Sequence, residues 1–478
     1  MLRKSSFGFL AAALIASAAS ATRADDAPTV RAWDIGDSAP ATLRPHQYTL
    51  AECLALADRN FPSLWAARAR LALAHAQLEE AKWTPWFQWS AQSTFGVIPP
   101  ILGTVLFPQA TLETRNISSF GIGAPSGLQP FFGFGISGAV PLYTFGKIET
   151  TRDAAQANIR VSEWDMEKWR QATRMDVRRA FFGLELARDA KYVIGDAIER
   201  LDRGINGVKD KLAKGDVNVS EVDRLRLEAY KQDVVAQSLQ APKGEAYALG
   251  ALRFITGVQT AFDVVDEPLK RPDRPLVSIA QYLSAARILR ADVNMARAGV
   301  AARQAQVGYN RAKLFPDFGL ALGADFISTP SATPQENAFA ADPWNHFYYY
   351  VGFGVKWSLD LLPQAAREHE AESQLEETRA MERTALGNAM YEVEKAYADA
   401  LEAKGREEAW DKAEHIAKQW ISLVQDRIDL GTSDEKALLE PLRSYGSARV
   451  QHLTALMDYN IAMSNLALAS GWDSVAPG

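Results

Sequence analysis

Tyr349-Tyr350-Val351-Gly352-Phe353-Gly354-Val355-Lys356-Trp357-Ser358-Leu359 alternates without a break. Tyr349, Val351, Phe353, Val355, Trp357 and Leu359 make one face; Tyr350, Gly352, Gly354, Lys356 and Ser358 make the other. Period two marks a strand, because successive side chains point to opposite sides of a pleated chain. Three further segments share the pattern. In residues 86–98, Phe87, Trp89, Ala91, Phe95 and Val97 oppose Gln88, Ser90, Gln92 and Thr94. In 131–142, Phe132, Phe134, Ile136, Val140 and Leu142 oppose Gly133, Gly135, Ser137 and Ala139. In 318–327, Phe318, Leu320, Leu322 and Phe326 oppose Gly319, Ala321, Gly323 and Asp325. Each segment is about 10–13 residues long, the length a tilted strand needs to cross a bilayer.

One apolar face and one small or polar face is the pattern of a membrane barrel, apolar outward and polar inward. The same alternation also suits a sheet packed on a soluble core. Aromatic residues gather at the segment ends: Trp83, Trp86, Trp89, Tyr143 and Trp357 on one side, Trp344, Phe347, Tyr348 and Tyr349 on the other. Amphipathic rings of this kind settle at membrane interfaces. Four strands cannot close a pore, and an open sheet edge in lipid leaves backbone groups unpaired at several kcal/mol each. Closure therefore requires sister copies. Three copies give twelve strands, enough for a lumen, and four copies satisfy the same rule. The connections at 99–130 and 328–346 are long and hold several prolines, as external barrel loops do.

The rest of the chain reads as helix. Residues 50–83, 147–213 and 220–256 in the first half, and 278–314, 364–430 and 434–470 in the second, are rich in Ala, Glu, Arg, Leu and Lys at spacings of three and four. The two longest, about 67 residues each, hold no proline and reach about 100 Å at a rise of 1.5 Å per residue. The shorter ones reach about 50–55 Å, so two placed end to end match one long helix. That describes a wall one helix thick.

The chain also repeats itself. Ala81-Lys82-Trp83-Thr84-Pro85-Trp86-Phe87 resembles Ala312-Lys313-Leu314-Phe315-Pro316-Asp317-Phe318, and Lys214-Gly215-Asp216 resembles Leu430-Gly431-Thr432. Glycine at Gly215 and Gly431 supplies the left-handed conformation that a helix reversal needs. Between the halves, Pro268, Pro272 and Pro275 stand among charges and read as a solvated linker. The expected organisation is a signal peptide at 1–24, a first repeat at 25–267, a linker at 268–277, a second repeat at 278–471 and a tail at 472–478.

Arg3 and Lys4 precede an apolar run from Phe7 to Ala19, too short to span a bilayer, and Ala19-Ser20-Ala21 or Thr22-Arg23-Ala24 supplies a small-residue cleavage site. This is a secretory signal. Across all 478 residues the net charge is −6, and no basic cluster interleaved with aromatics points to nucleic acid. The single cysteine, Cys53, cannot form an internal disulfide and lies too far from the cleavage site for lipidation. The six histidines, His46, His75, His346, His369, His415 and His452, show no metal-helix spacing, and no nucleophile elbow or phosphate loop occurs. No cofactor, metal or catalytic site is expected, and the chain does not read as an enzyme. A secreted helical adhesin or scaffold without a channel is the reading of a different class.

With its order of segments and its duplication, the sequence resembles the TolC-like outer-membrane efflux proteins. Val140-Pro141-Leu142-Tyr143-Thr144-Phe145-Gly146-Lys147 looks like the family's strand-to-helix exit. Residues 214–222 and 427–433 look like its two helix-tip turns. The resemblance implies a mainly α fold with a small β part: a long-helix periplasmic tunnel, with four strands per subunit contributing to a trimeric 12-stranded transmembrane barrel. It implies a homotrimer in outer-membrane lipid that extends into the periplasm and docks with a periplasmic adaptor and an inner-membrane pump. Cargo would be small molecules or, in a type I system, proteins.

The family's periplasmic end closes with acidic residues six and nine positions after the second tip glycine. Here these are Ala437 and Glu440, with Asp434 and Glu435 as acidic neighbours. Glu221 matches an acidic locking position in the first tip, whereas Ser433 stands where the family places its arginine partner. A ring of three Glu440 carboxylates would favour cations. Mass spectrometry of the exported protein should find its first residue just after Ala21 or Ala24; a chain still beginning at Met1 would contradict the signal-peptide reading.

Overall fold

A computed structural model describes residues 46–86, 88–98, 128–215, 219–258, 262–330, 342–430 and 432–474. The expected signal peptide, most of both long loops, Gly431 and the end of the tail lie outside the described residues.

Helix α1 (Leu50–Asn60) begins with a capping box in which Thr49 and Glu52 satisfy each other's backbone N–H. It ends at Phe61, and α2 (Pro62–Trp83) follows at once. Sequence periodicity joins these into one helix over 50–83. The break has a steric cause: a residue before proline is pushed out of the α region, and Phe61 sits at φ −68°, ψ 125°. Helix α3 (Lys147–Ala213) runs uninterrupted for 67 residues. Beyond it, the segment expected as a single helix over 220–256 divides into α4 (Glu221–Ser238) and α5 (Gln240–Thr256) at Leu239. Pro242 explains this, because its ring clashes with the carbonyl four residues back.

In the second half, α6 (Ile279–Leu289) and α7 (Ala291–Ala312) break at Arg290, which is extended with no proline nearby. The Arg290 side chain leaves the helix line to bond Asp292 at 2.8 Å and Glu392, and it donates to the Ala469 carbonyl at 3.2 Å. Gly471, at φ +76°, packs on this corner; a Cβ there would stand 2.8 Å from the Leu289 carbonyl carbon. Helix α8 (Leu361–Asp429) has 69 residues, and α9 (Leu439–Ser470) follows a short 3-10 turn (Glu435–Leu438). In each half two helices precede two long strands and one helix of 67 or 69 residues follows them.

Two sheets complete the described residues. The strands β1 (His46–Tyr48) and β4 (Phe262–Val264) form a parallel pair that sequence periodicity does not reveal, since three residues are too few for alternation to register. Strands β2 (Gln88–Ile98), β3 (Gln129–Tyr143), β5 (Asp317–Ser328) and β6 (His346–Lys356) make one antiparallel sheet in the order β2-β3-β5-β6. β6 begins and ends three residues before the expected 349–359. Trp357 is instead tied to the end of the α7 turn, its indole N–H donating to the Leu314 carbonyl at 3.1 Å.

The helices pack around several small cores. Val177, Phe181 and Leu184 of α3 meet Cys53, Leu252 and Val264 in one; Tyr282, Val393, Ala400 and Leu466 meet in another. Buried ion pairs tie these regions together. Asp473, 1% exposed, accepts from Arg178 at 2.5 Å, and Arg174 joins it to Asp58. Glu407, also 1% exposed, accepts from Arg271 at 2.7 Å, and His452 lies 3.3 Å away. Arg271 belongs to the stretch expected as a solvated linker. That stretch is mostly exposed, yet Leu269 is buried and Lys270 accepts a bond from Asn460 through its carbonyl at 2.9 Å. No described helix is long and apolar enough to cross a membrane.

Glu185 on α3 faces Asp189 and Glu267. Burial first, and then these carboxylates, push its acid up to about 7. The folded chain therefore holds this proton where the unfolded chain has lost it, and the group costs stability as pH rises from the ordinary glutamate range through about 7. Glu185→Gln should raise the melting temperature at pH 8 and leave it near wild type at pH 4.5; equal melting at pH 8 would contradict the assignment.

Candidate channel surfaces

The sheet register aligns the apolar positions of all four strands on one side. Trp89 opposes Gly138, Ala91 opposes Ile136 and Phe95 opposes Phe132; Ile136 in turn opposes Ala324, and Val140 opposes Leu320. Leu320 opposes Phe353, Leu322 opposes Val351 and Phe326 opposes Phe347. Nothing within the described chain covers the outer strands of this face. Phe95 and Tyr349 are each 76% exposed, Val351 67% and Phe353 65%. A patch this broad is rare on a water-facing surface and marks contact with lipid or protein. Trp89 lies across Gly138 and so fills the gap that the glycine leaves.

The opposite face carries Ser90, Gln92, Ser137, Gly319, Gly323, Gly352 and Gly354, with a few larger polar groups. Tyr350 covers Gly323 there. His346 bonds Asp325 through Nε2 at 2.8 Å and stacks on Tyr348. Tyr348 therefore stands on the polar face, across the sheet from Tyr349. Trp344 packs edge-on against Phe131, which shares the parity of the polar face, so neither Trp344 nor Tyr348 aligns with the outward aromatics. The helix-side set is coherent: Trp83, Trp86, Trp89, Tyr143 and Trp357 are all exposed.

The strand-to-helix exit is built around a register shift between Pro141 and Tyr143, with Leu142 exposed beside it. Phe145 takes a positive φ of 52° and Gly146 one of 91°. Two consecutive left-handed residues turn the chain from sheet to helix. Phe145 stacks on Phe315 at 5.0 Å, and Tyr143 meets it edge-on at 4.7 Å. Lys147 then clamps the second half, donating to Asp317 at 2.7 Å and to the Phe315 carbonyl at 2.9 Å. The Asp317 partner lies 170 positions away, and no local pattern announces it. A cavity of about 660 Å³ opens beside this junction, lined by Gln88, Thr144, Lys147, Asp317 and Lys356 among others.

At the far end of the long helices, the two tips meet. Leu439 and Leu442 of the second tip pack with Val208, Val219 and Leu227 of the first. Gly215 reverses the chain at φ +75°. Ser220 caps α4 in a reciprocal box with Asp223. Glu221 pairs with Arg224 on its own helix; that hydrogen bond holds its carboxyl below the usual range, and Arg224 reaches on to Glu228 at 2.6 Å. The guanidinium partner that Ser433 does not supply thus comes from within α4. Asp434 lies 3.6 Å from Lys436. The hydrogen bonds with Ser220 hold the Asp223 carboxyl below the usual range, and the Lys436 charge adds a smaller push in the same direction. Glu435 opens the 3-10 turn, and Glu440 stands exposed in the first turn of α9, near Tyr230 and Arg443. Among the described residues no group of three or more metal-ligating side chains is arranged to hold a metal.

A sheet with one bare apolar face, set on helices of about 100 Å, defines an outer-membrane channel fold. The comparisons agree. The sequence model of the outer membrane efflux protein family matches residues 282–472. The chain is similar to CusC, at a TM-score of 0.70 and 16% identity, covering 92% of this chain and 95% of that one. It is similar to the Campylobacter jejuni CmeC outer membrane channel, at a TM-score of 0.69 and 17% identity, covering 88% and 85%. It is similar to the open state of the Neisseria gonorrhoeae MtrE outer membrane channel, at a TM-score of 0.70 and 17% identity, covering 88% of each. No curated protein matches the sequence. The chain is TolC-like in fold, and its second half carries an outer membrane efflux protein domain.

Gly146→Ala places a Cβ on a residue at φ +91° and should destabilise the fold by about 1 kcal/mol, read as a lower melting temperature. An unchanged melting temperature would show that the exit turn does not need its left-handed residue.

Proposed function

We infer that this chain is the outer-membrane channel subunit of a tripartite export system, and that three copies form a duct across outer membrane and periplasm for small-molecule efflux. One observation carries the reading. The sheet exposes a continuous apolar face and has two open edges, β2 and β6. In lipid the face is satisfied and the edges are not, so copies join edge to edge until the sheet closes. The family match and the shared fold support the same conclusion.

In this reading the strands sit in the outer membrane, and the helices extend into the periplasm toward an adaptor and an inner-membrane pump that supplies the energy. The segment 1–24 directs export and is removed, no lipid anchor is attached, and 25–267 and 278–471 are duplicated halves joined by 268–277. Gly215 turns the chain at the first periplasmic tip, and Gly431 is the matching sequence position in the second. Glu221, Asp434, Glu435 and Glu440 supply the acidic constriction there, and Trp83, Trp86, Trp89, Tyr143 and Trp357 hold the inner interface.

Purified protein added to planar lipid bilayers should give discrete, long-lived conductance steps. Replacing Asp434, Glu435 and Glu440 together by their amides should increase the conductance severalfold if these acids close the tip. Protein that inserts without conducting would overturn the channel reading.

A further inference from the structure

Lys356 is the last residue of β6, and the alternation of that strand settles where it points. Phe353 and Val355 lie on the bare apolar side; Gly352, Gly354 and Lys356 lie on the other. In a closed barrel that other side faces the lumen. Trp357, exposed and next in sequence, marks the level as the helix-side end of the sheet.

On the sheet itself Lys356 has no counter-charge of its own. Its register partner is Asp317 on β5, but the Asp317 carboxylate is taken by Lys147 at 2.7 Å. Among the described residues Lys356 makes no ion pair, and it is exposed. Lys147, Asp317 and Lys356 together carry one net positive charge per copy at the base of the barrel. The same cavity is also lined by Glu80, in the last turn of α2 and so on the helices rather than the sheet. Cargo rising through the helices meets the carboxylate and then the ammonium.

We infer that Lys356 is a specificity-determining residue of the duct. Three copies ring the barrel base and favour anionic groups there, so cargo bearing a carboxylate, sulfonate or phosphate, zwitterions included, passes more readily than cargo that is only cationic. The inference rests on the trimeric channel proposed above. It opposes the sign of the acidic tip, and each charged ring acts on the ions within about a Debye length of it, some 8 Å at physiological salt.

The test is the chloride-to-potassium permeability ratio, from reversal potentials in planar bilayers under a low-salt KCl gradient. Lys356→Gln should lower the ratio about 2-fold and Lys356→Glu further, while Lys356→Arg keeps the wild-type value. Glu80→Gln should raise it. In molar salt, where the Debye length shrinks to about 3 Å, these differences should fade. Conductance with the same low-salt ratio in wild type, Lys356→Gln and Lys356→Glu overturns the inference alone, and is what a lysine turned toward the lipid interface would give. Absence of conductance in the wild type overturns the channel itself, and this inference with it.

Discussion

The architecture depends on backbone hydrogen bonding at two strand edges. β2 and β6 each offer a row of N–H and C=O groups that nothing in the described chain pairs. Water would satisfy them at little cost, but the apolar face beside them excludes water in a membrane, and each unpaired group there costs several kcal/mol. The edges and the face therefore impose one solution together: more strands must come from other copies. The strand directions permit it. All neighbours in the sheet are antiparallel, so β2 and β6 run in opposite directions and the edge of one copy meets the edge of the next as another antiparallel pair.

The helices answer to a different constraint. They must turn from sheet to tunnel without losing alignment, and the exit does this with two left-handed residues, an aromatic stack on Phe315 and the Lys147–Asp317 clamp. The clamp joins a residue of the first half to one of the second, so the sheet and the long helices of both halves hold one geometry. Lower down, Arg178 with Asp473 and Arg271 with Glu407 lock the chain end and the connection between halves onto α3 and α8. Removing one partner of such a pair leaves a buried charge without compensation, which costs more than the intact pair contributes.

Much of this was legible in the residues. The strand faces follow from alternation alone, and the extent of α3 follows from its uninterrupted periodicity, matching the expected 147–213. The helix breaks show where local reading stops. Pro62 and Pro242 carry a visible steric reason for theirs, but the periodicity on either side masks it. Arg290 has no such signal, because its break is set by Glu392 and Ala469, both remote in sequence. The short β1–β4 pair and the Lys147–Asp317 clamp are hidden for the same reason. Glu221 is a finer case: its position and charge are readable, whereas its partner, Arg224, is a choice of rotamer within one helix.

Cysteine cross-linking across the open edges tests edge-to-edge closure most directly. The native Cys53 is fully buried, and burial pushes its thiol up to about 12, so introduced cysteines react against a silent background. Cysteines placed at Ser90, Gln92 or Thr94 on β2, each combined in turn with one at Tyr350, Gly352 or Gly354 on β6, should give in outer membranes a disulfide ladder between chains that ends at three. Failure of every combination to link chains, or a protein that stays monomeric in the membrane fraction, would contradict closure by sister copies.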